Sequence, residues 1–175
     1  MRHPACALAL AAAALHSMPT VSSASPPVHE CDRLAASPYD REAVVKDRDH
    51  RADIGAEAKA ACEAAIAAHP GVARFEYQLG RALLHAATSD AEFASAIAML
   101  KRAAARGHTM AMTEIGEHYM THGSIPDYAE AARWLTKALE GGDDGAAHNL
   151  GVLYFGGQGV DEDHGVALGL FRRAA

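Results

Sequence analysis

Eleven histidines in 175 residues raise the question of metal chemistry first. His118 and His122 stand four apart, a spacing that sets two imidazoles on one helix face, where they could grip a divalent cation. No third ligand follows at a fixed offset, and no His-Glu-x-x-His occurs. His122 falls in the last turn of its predicted helix, where a cation-capable side chain suits the dipole. The pair is therefore read as a helix face, and no metal is expected. His50, His69, His85, His108, His148 and His164 scatter over loops and helix ends. Gly156-Gly157-Gln158-Gly159 could suggest a phosphate loop, but it follows a helix and lacks a completing Gly-Lys-Ser/Thr. Turn chemistry accounts for it. Asp161-Glu162-Asp163 lacks the alternating oxygens of a calcium loop and reads as helix-start charge. Neither Gly-x-Ser-x-Gly nor Ser-x-x-Lys is present. Cys62 with a distant histidine could form a thiol nucleophile, but a disulfide partner and an alanine-rich helix argue against it. No catalytic residue and no cofactor is expected.

Composition narrows the class of protein. Half the residues are apolar but only 6% are aromatic, and alanine dominates, which favours closely packed helices over a sheet. A formal charge of −6, without a basic run, argues against nucleic acid and anionic lipid as partners. Arg2, His3 and the apolar run Ala5–Leu15 have the form of an export signal, with small residues at Ser22-Ser23-Ala24. Cleavage is expected near Ala24, leaving a soluble periplasmic or secreted chain. The alternative is an ordinary alanine-rich first helix, which Pro4, Pro19, Pro26 and Pro27 disfavour. No stretch reaches the ~18 apolar residues of a membrane span. Cys6, His3 and His16 would leave with the signal. Cys31 and Cys62 remain, an even pair that invites a disulfide closing a ~30-residue loop, which contributes ~3–4 kcal/mol in the chain-entropy model. The alternative is two buried free thiols.

These residues need elements to hold them. Residues 25–53 read as irregular and partly helical, with a helical stub within Pro27–Ala36 and a charged surface loop or loosely held helix over Ser37–Asp53. From Ile54 onwards the chain reads as a helical repeat domain, 54–175. Ala58, Ala61, Cys62, Ala65 and Ile66 recur at helical spacing, and His69-Pro70-Gly71 stops that helix. A helix over Val72–Ala86 follows. Ser89-x-x-Glu92 forms a capping box for a helix to about Arg106 that buries Phe93, Ile97 and Leu100. Helix Thr109–His122 precedes an Asp127-x-x-Glu130 start, and helix Gly145–Phe155 precedes the N-cap Asp163. Leu79-Gly80, Ile115-Gly116 and Leu150-Gly151 recur at intervals of 36 and 35 residues. Leu83, Tyr119 and Tyr154 follow in step. Met99, Trp134 and Leu170 align, then Leu100, Leu135 and Phe171. The predicted fold is all-α, an α/α superhelix of antiparallel helix pairs in units of about 72–107, 109–142 and 145–175, the last truncated. A mid-helix glycine costs ~1 kcal/mol against alanine, so Gly80, Gly116 and Gly151 imply close approach of a partner helix.

The last unit, with Ala146-Ala147, Leu150-Gly151, Tyr154, Gly157, Gly159-Val160, Asp163 and Ala167, resembles the Sel-one-like repeat (SLR) family, a branch of the tetratricopeptide-like superhelices. Val166 and Leu170 depart from that family's lysine and aromatic residue. The middle unit keeps Tyr119, Gly123, Trp134 and Lys137-Ala138 but contracts the turn, and the first lacks the turn glycines. The resemblance covers about Ala58–Ala175. It implies a scaffold that binds another protein, here in the bacterial envelope, through first-helix positions: Gln78, Arg81, Glu114, Glu117, His118, His148 and Asn149. Two other readings stand beside it. One is an envelope hydrolase or peptidoglycan-associated enzyme. The other is a fragment of a longer solenoid that self-associates through its uncapped C-terminal repeat.

Overall fold

The computed structural model describes residues 28–45, 54–122 and 126–175. The predicted export segment, its cleavage point near Ala24, residues 46–53 and the centre of the contracted turn at Gly123-Ser124-Ile125 lie outside the described residues. Among those described there are eight helices and no strand: α1 (Glu30–Ala35), α2 (Ala56–Ala68), α3 (Ala73–Ala86), α4 (Asp90–Ala105), α5 (Thr109–Thr121), α6 (Tyr128–Glu140), α7 (Ala146–Gly156) and α8 (His164–Ala174). The fold is an α solenoid. The most extensive contacts lie within the pairs α3–α4, α5–α6 and α7–α8, and α4 and α6 each also touch the first helix of the next pair.

Helix starts follow local chemistry. Ser89 Oγ accepts from Glu92 N, and Glu92 Oε2 accepts from Ser89 N at 3.0 Å. Hydrogen bonds from Thr88 above all, with Ser89, hold the exposed Glu92 carboxyl below its ordinary pKa. Asp127 and Asp163 cap α6 and α8 through the amides of Glu130 and Val166, each at 2.9 Å. Gly159 (φ +69°) is confined to glycine by more than its angle. A Cβ there would sit 2.3 Å from the carbonyl carbon of Tyr128, so the α7–α8 turn rests on the backbone at the start of α6.

The repeat is held by one contact made three times. A Cβ on Gly80 would meet Leu100 Cδ2 at 2.5 Å, one on Gly116 would meet Leu135 Cγ at 2.7 Å, and one on Gly151 would meet Phe171 Cε1 at 2.7 Å. The second helix of each pair thus seats a large side chain on bare backbone of the first. Around these seats lie three apolar clusters, each assembled from consecutive helices: Cys62, Phe75 and Leu79; Leu100, Ala111 and Ile115; Leu135, Leu150 and Leu153. No pair completes its core alone. The fully buried Glu76 adds a polar tie from α3 to α4, accepting from Arg102 at 2.8 Å and Arg106 at 2.9 Å.

Two sequence expectations need correction. Phe93 is only half-buried, because it packs sideways against His118 and His122 instead of entering the α3–α5 core. The expected surface loop from Ser37 is, over residues 37–43, turned inward at every third or so residue: Ser37, Asp40 and Ala43 are buried, while Tyr39, Arg41 and Glu42 stay exposed. Asp40 lies 3.4 Å from His108 Nε2, and Arg41 Nη1 donates to the carbonyl of Gly142, 101 residues along the chain. Partners that distant leave no periodic trace. This strap is continuous with α1, which is stapled to α2 by the Cys31–Cys62 disulfide and shares its core. The buried Asp32 joins α1 to α3, accepting from Arg74 Nε and Gln78 Nε2, both at 3.0 Å.

The seats predict opposite outcomes for two helical glycines. Gly116→Ala should destabilise by about 1–3 kcal/mol through overpacking. Gly169→Ala in α8, where a Cβ meets nothing within 4 Å, should stabilise by about 1 kcal/mol. Urea denaturation of both variants checks the contrast.

Candidate functional site

Four-residue spacing sets Tyr77 and Arg81 on one face of α3, and Glu114, His118 and Thr121–His122 on the adjoining face of α5. Side-chain bonds join the two faces. Tyr77 donates to Glu114 Oε1 at 2.8 Å, and Arg81 Nε lies 3.1 Å from the same oxygen. Burial pushes the Glu114 carboxyl up to about 7, outweighing the opposing pull of Arg81 and Tyr77. Burial likewise raises the Tyr77 phenol well above its ordinary value. The Tyr77 ring stacks on His108 at 4.3 Å, and His108 caps α5 by accepting from Ala111 N. Arg81 also donates to the carbonyl of Ala35 at 2.7 Å, which ties the start of the strap to this face.

A pocket of about 330 Å³ opens between α3, α5 and the start of α4. Arg81 and Glu114 line its base, and Leu84 adds apolar surface. One wall is a row of rings: His122 and His118 stack nearly parallel at 4.5 Å between centroids, and Phe93 leans on His122 at 4.2 Å with its plane tilted by 56°. Burial first, then the nearby His122 and Lys101, lowers the His118 pKa, so that ring is neutral at neutral pH. The exposed Glu117 stands at the mouth, accepting from Asn149 Nδ2 of α7 at 2.8 Å. Partial desolvation of the carboxyl by the surrounding pocket wall pushes it upward too.

Of the first-helix positions singled out in the sequence, Arg81, Glu114, Glu117 and His118 converge on this pocket, and Asn149 reaches its rim through Glu117. His148 does not join them; it is exposed, its ring 5.7 Å from Phe171. Gln78 is corrected outright. It is fully buried beneath α1, bonded to Asp32, because α1 covers that side of α3. Sequence reasoning missed Tyr77, Phe93, Asp40 and His108 as site components. Phe93 was misread because it has core chemistry, and Asp40 because its partner is remote. The repeat-packing residues Tyr119, Trp134 and Tyr154 are half-buried beside the cores. Among the described residues, no group of three or more His, Cys, Asp or Glu side chains could hold a metal ion. The disulfide occupies Cys31 and Cys62, and among the described residues no helix is long and apolar enough to cross a membrane. The arrangement is suited to recognition.

The family model for the Sel1 repeat, the unit of the Sel-one-like proteins, matches residues 73–108, 109–143 and 145–175. A Sel1 repeat protein from Oxalobacter formigenes is similar in structure, with a TM-score of 0.58 and 25% identity over 67% of this chain and 48% of that one. A protective antigen present in uropathogenic Escherichia coli strains, displaying an SLR fold, matches with a TM-score of 0.56 and 33% identity over 64% of this chain and 24% of that one. The chain therefore spans under half of one relative and about a quarter of the other.

The buried Glu114 carboxyl gives the site a pH signature. Its folded pKa lies above its ordinary 4.5, so the folded state holds the proton more tightly. That contribution to stability is complete below the ordinary value and is lost as pH rises through about 7. Wild type should lose on the order of 1–3 kcal/mol relative to Glu114→Gln across that window, read from denaturant midpoints at several pH values.

Proposed function

The chain belongs to the Sel1 repeat family, and from that premise we propose that it is a non-catalytic scaffold, exported to the bacterial envelope, that holds a protein partner on the face shared by α3, α5 and α7. Sel1 repeat proteins are generally protein-interaction scaffolds and typically not enzymes. The observation that carries the reading is the convergence of Arg81, Glu114, Glu117 and His118 on one open pocket, continued by Asn149 on α7. Among the described residues no metal cluster accompanies them, and Cys31 and Cys62 are tied up in the disulfide. Export rests on the charged start, apolar run and small-residue site of the first 24 residues. A Cys31–Cys62 cross-link suits an oxidising compartment.

One observation favours a second reading, self-association. Phe155 and Leu168 are 58% and 49% exposed on α7 and α8. Leu168 occupies the register of Ile97 and Ala132, which the following helices bury at 6% and 5% exposure. A second copy could cover that surface.

Affinity capture from a periplasmic extract, with the mature chain as bait, separates these readings. A specific partner should be retained by wild type and lost with Thr121→Trp, which blocks the pocket mouth whatever the partner's charge. Nothing above background, or equal retention by both baits, would overturn the scaffold reading. A concentration-dependent dimer by light scattering, abolished by Phe155→Ser, would favour self-association.

A further inference from the structure

The α3–α5 pocket carries an unbalanced charge. Two carboxylates, Glu114 and Glu117, face one guanidinium, Arg81, which is already committed to Glu114 through Nε and to the Ala35 carbonyl through Nη1. Glu117 accepts only an amide hydrogen bond from Asn149, and no lysine or arginine among the described residues pairs with it. Arg81 is paired with Glu114, which leaves Glu117 as the pocket carboxyl without a cationic partner among the described residues. Beside them runs the row Phe93–His122–His118. Flat rings in such a row offer a face to a planar cation, and a carboxylate next to them offers the acceptor for its N–H groups. A guanidinium satisfies both demands at once. An ammonium is more strongly hydrated and has no plane to stack. An acidic side chain would meet the carboxylates, with Arg81 screened behind them. The net charge of −6 favours approach of a cation over longer range.

The neighbouring strap indicates how such a cation would be delivered. Residues 36–45 are a stretch of chain lying against the same helices, held by Arg81 on the Ala35 carbonyl and by Asp40 beside His108. This face already accommodates a chain segment up to the edge of the pocket. We propose that the α3–α5 pocket receives an arginine side chain presented by a segment of the partner protein, its guanidinium stacked on the Phe93–His122–His118 row and hydrogen-bonded to Glu117. The proposal rests on the scaffold reading and names the partner's chemistry.

The test is an amide-shift titration of the isotopically labelled mature chain with a capped glycine–arginine–glycine peptide, its citrulline counterpart and its glutamate counterpart. The arginine peptide should give saturable shifts centred on Arg81, Phe93, Glu117 and His122, with affinity on the millimolar scale expected for a single side chain, about 1 mM. Citrulline keeps the shape without the charge and should bind about tenfold more weakly; glutamate should not bind. Glu117→Gln, an exposed change that keeps its partner Asn149, should weaken the arginine peptide about fivefold, and Phe93→Leu should weaken it without altering the melting profile. Equal binding of arginine and citrulline, shifts located elsewhere, or no shift at about 10 mM would overturn the proposal. If the captured partner is lost with Thr121→Trp yet persists with Glu117→Gln, and the arginine peptide fails, the arginine pocket falls while the scaffold stands. If capture also fails, the scaffold falls first.

Discussion

A large side chain resting on the bare backbone of a glycine sets the geometry of this protein. Leu100 on Gly80, Leu135 on Gly116 and Phe171 on Gly151 fix how closely the two helices of each pair approach. The glycines cost helix propensity, and the return is a constant interhelical distance along the solenoid. That distance places equivalent helices of neighbouring units within reach of each other's side chains. Arg81 meets Glu114, Tyr77 meets Glu114 and Asn149 meets Glu117, each pair separated by about one repeat in sequence. The pocket follows from the packing rule, and its chemistry follows from which residues occupy the repeated positions.

The outer faces of the first and last described units differ in chemistry. At the first unit, α1 and the strap cover α3 with the disulfide, the buried Asp32–Arg74 pair and the Gln78 hydrogen bond. A buried ion pair adds little net stability once desolvation is counted, but losing either partner leaves a charge stranded in the core. The arrangement therefore specifies how α1 docks more than it strengthens the docking. The strap then runs past the N-terminus of α5 to the carbonyl of Gly142, linking the first two units along one edge. At the last described unit, α7 and α8 present apolar side chains to solvent. The α3–α5 pocket lies between the polar, cross-linked α1 side and the apolar surface of α7 and α8.

Much of this was legible in the sequence, because repetition amplifies a weak signal. The Leu-Gly pairs, the capping residues Ser89, Asp127 and Asp163, and the aligned Leu100, Leu135 and Phe171 all report local or periodic constraints. The cysteines that end up cross-linked stand out by count alone. What stayed hidden has no period. Asp40 and Arg41 act through His108 and Gly142, far away in sequence, so a charged stretch that reads as surface is partly core. Gln78 reads as a polar groove residue until α1 covers it. Phe93 reads as core until His118 and His122 draw it into a pocket wall. The histidine pair noticed for its metal-like spacing is part of a site, and what it supplies there is two nearly parallel rings.

The account's central claim is that partners engage the face built by the first helices. Installing a photo-crosslinking amino acid in the living cell, at Thr121 in the pocket mouth and separately at Arg133 on the outward side of α6, tests it most directly. The account predicts a covalent adduct with one partner protein from Thr121 and none from Arg133. An adduct from Arg133 alone, or equally from both positions, would contradict it.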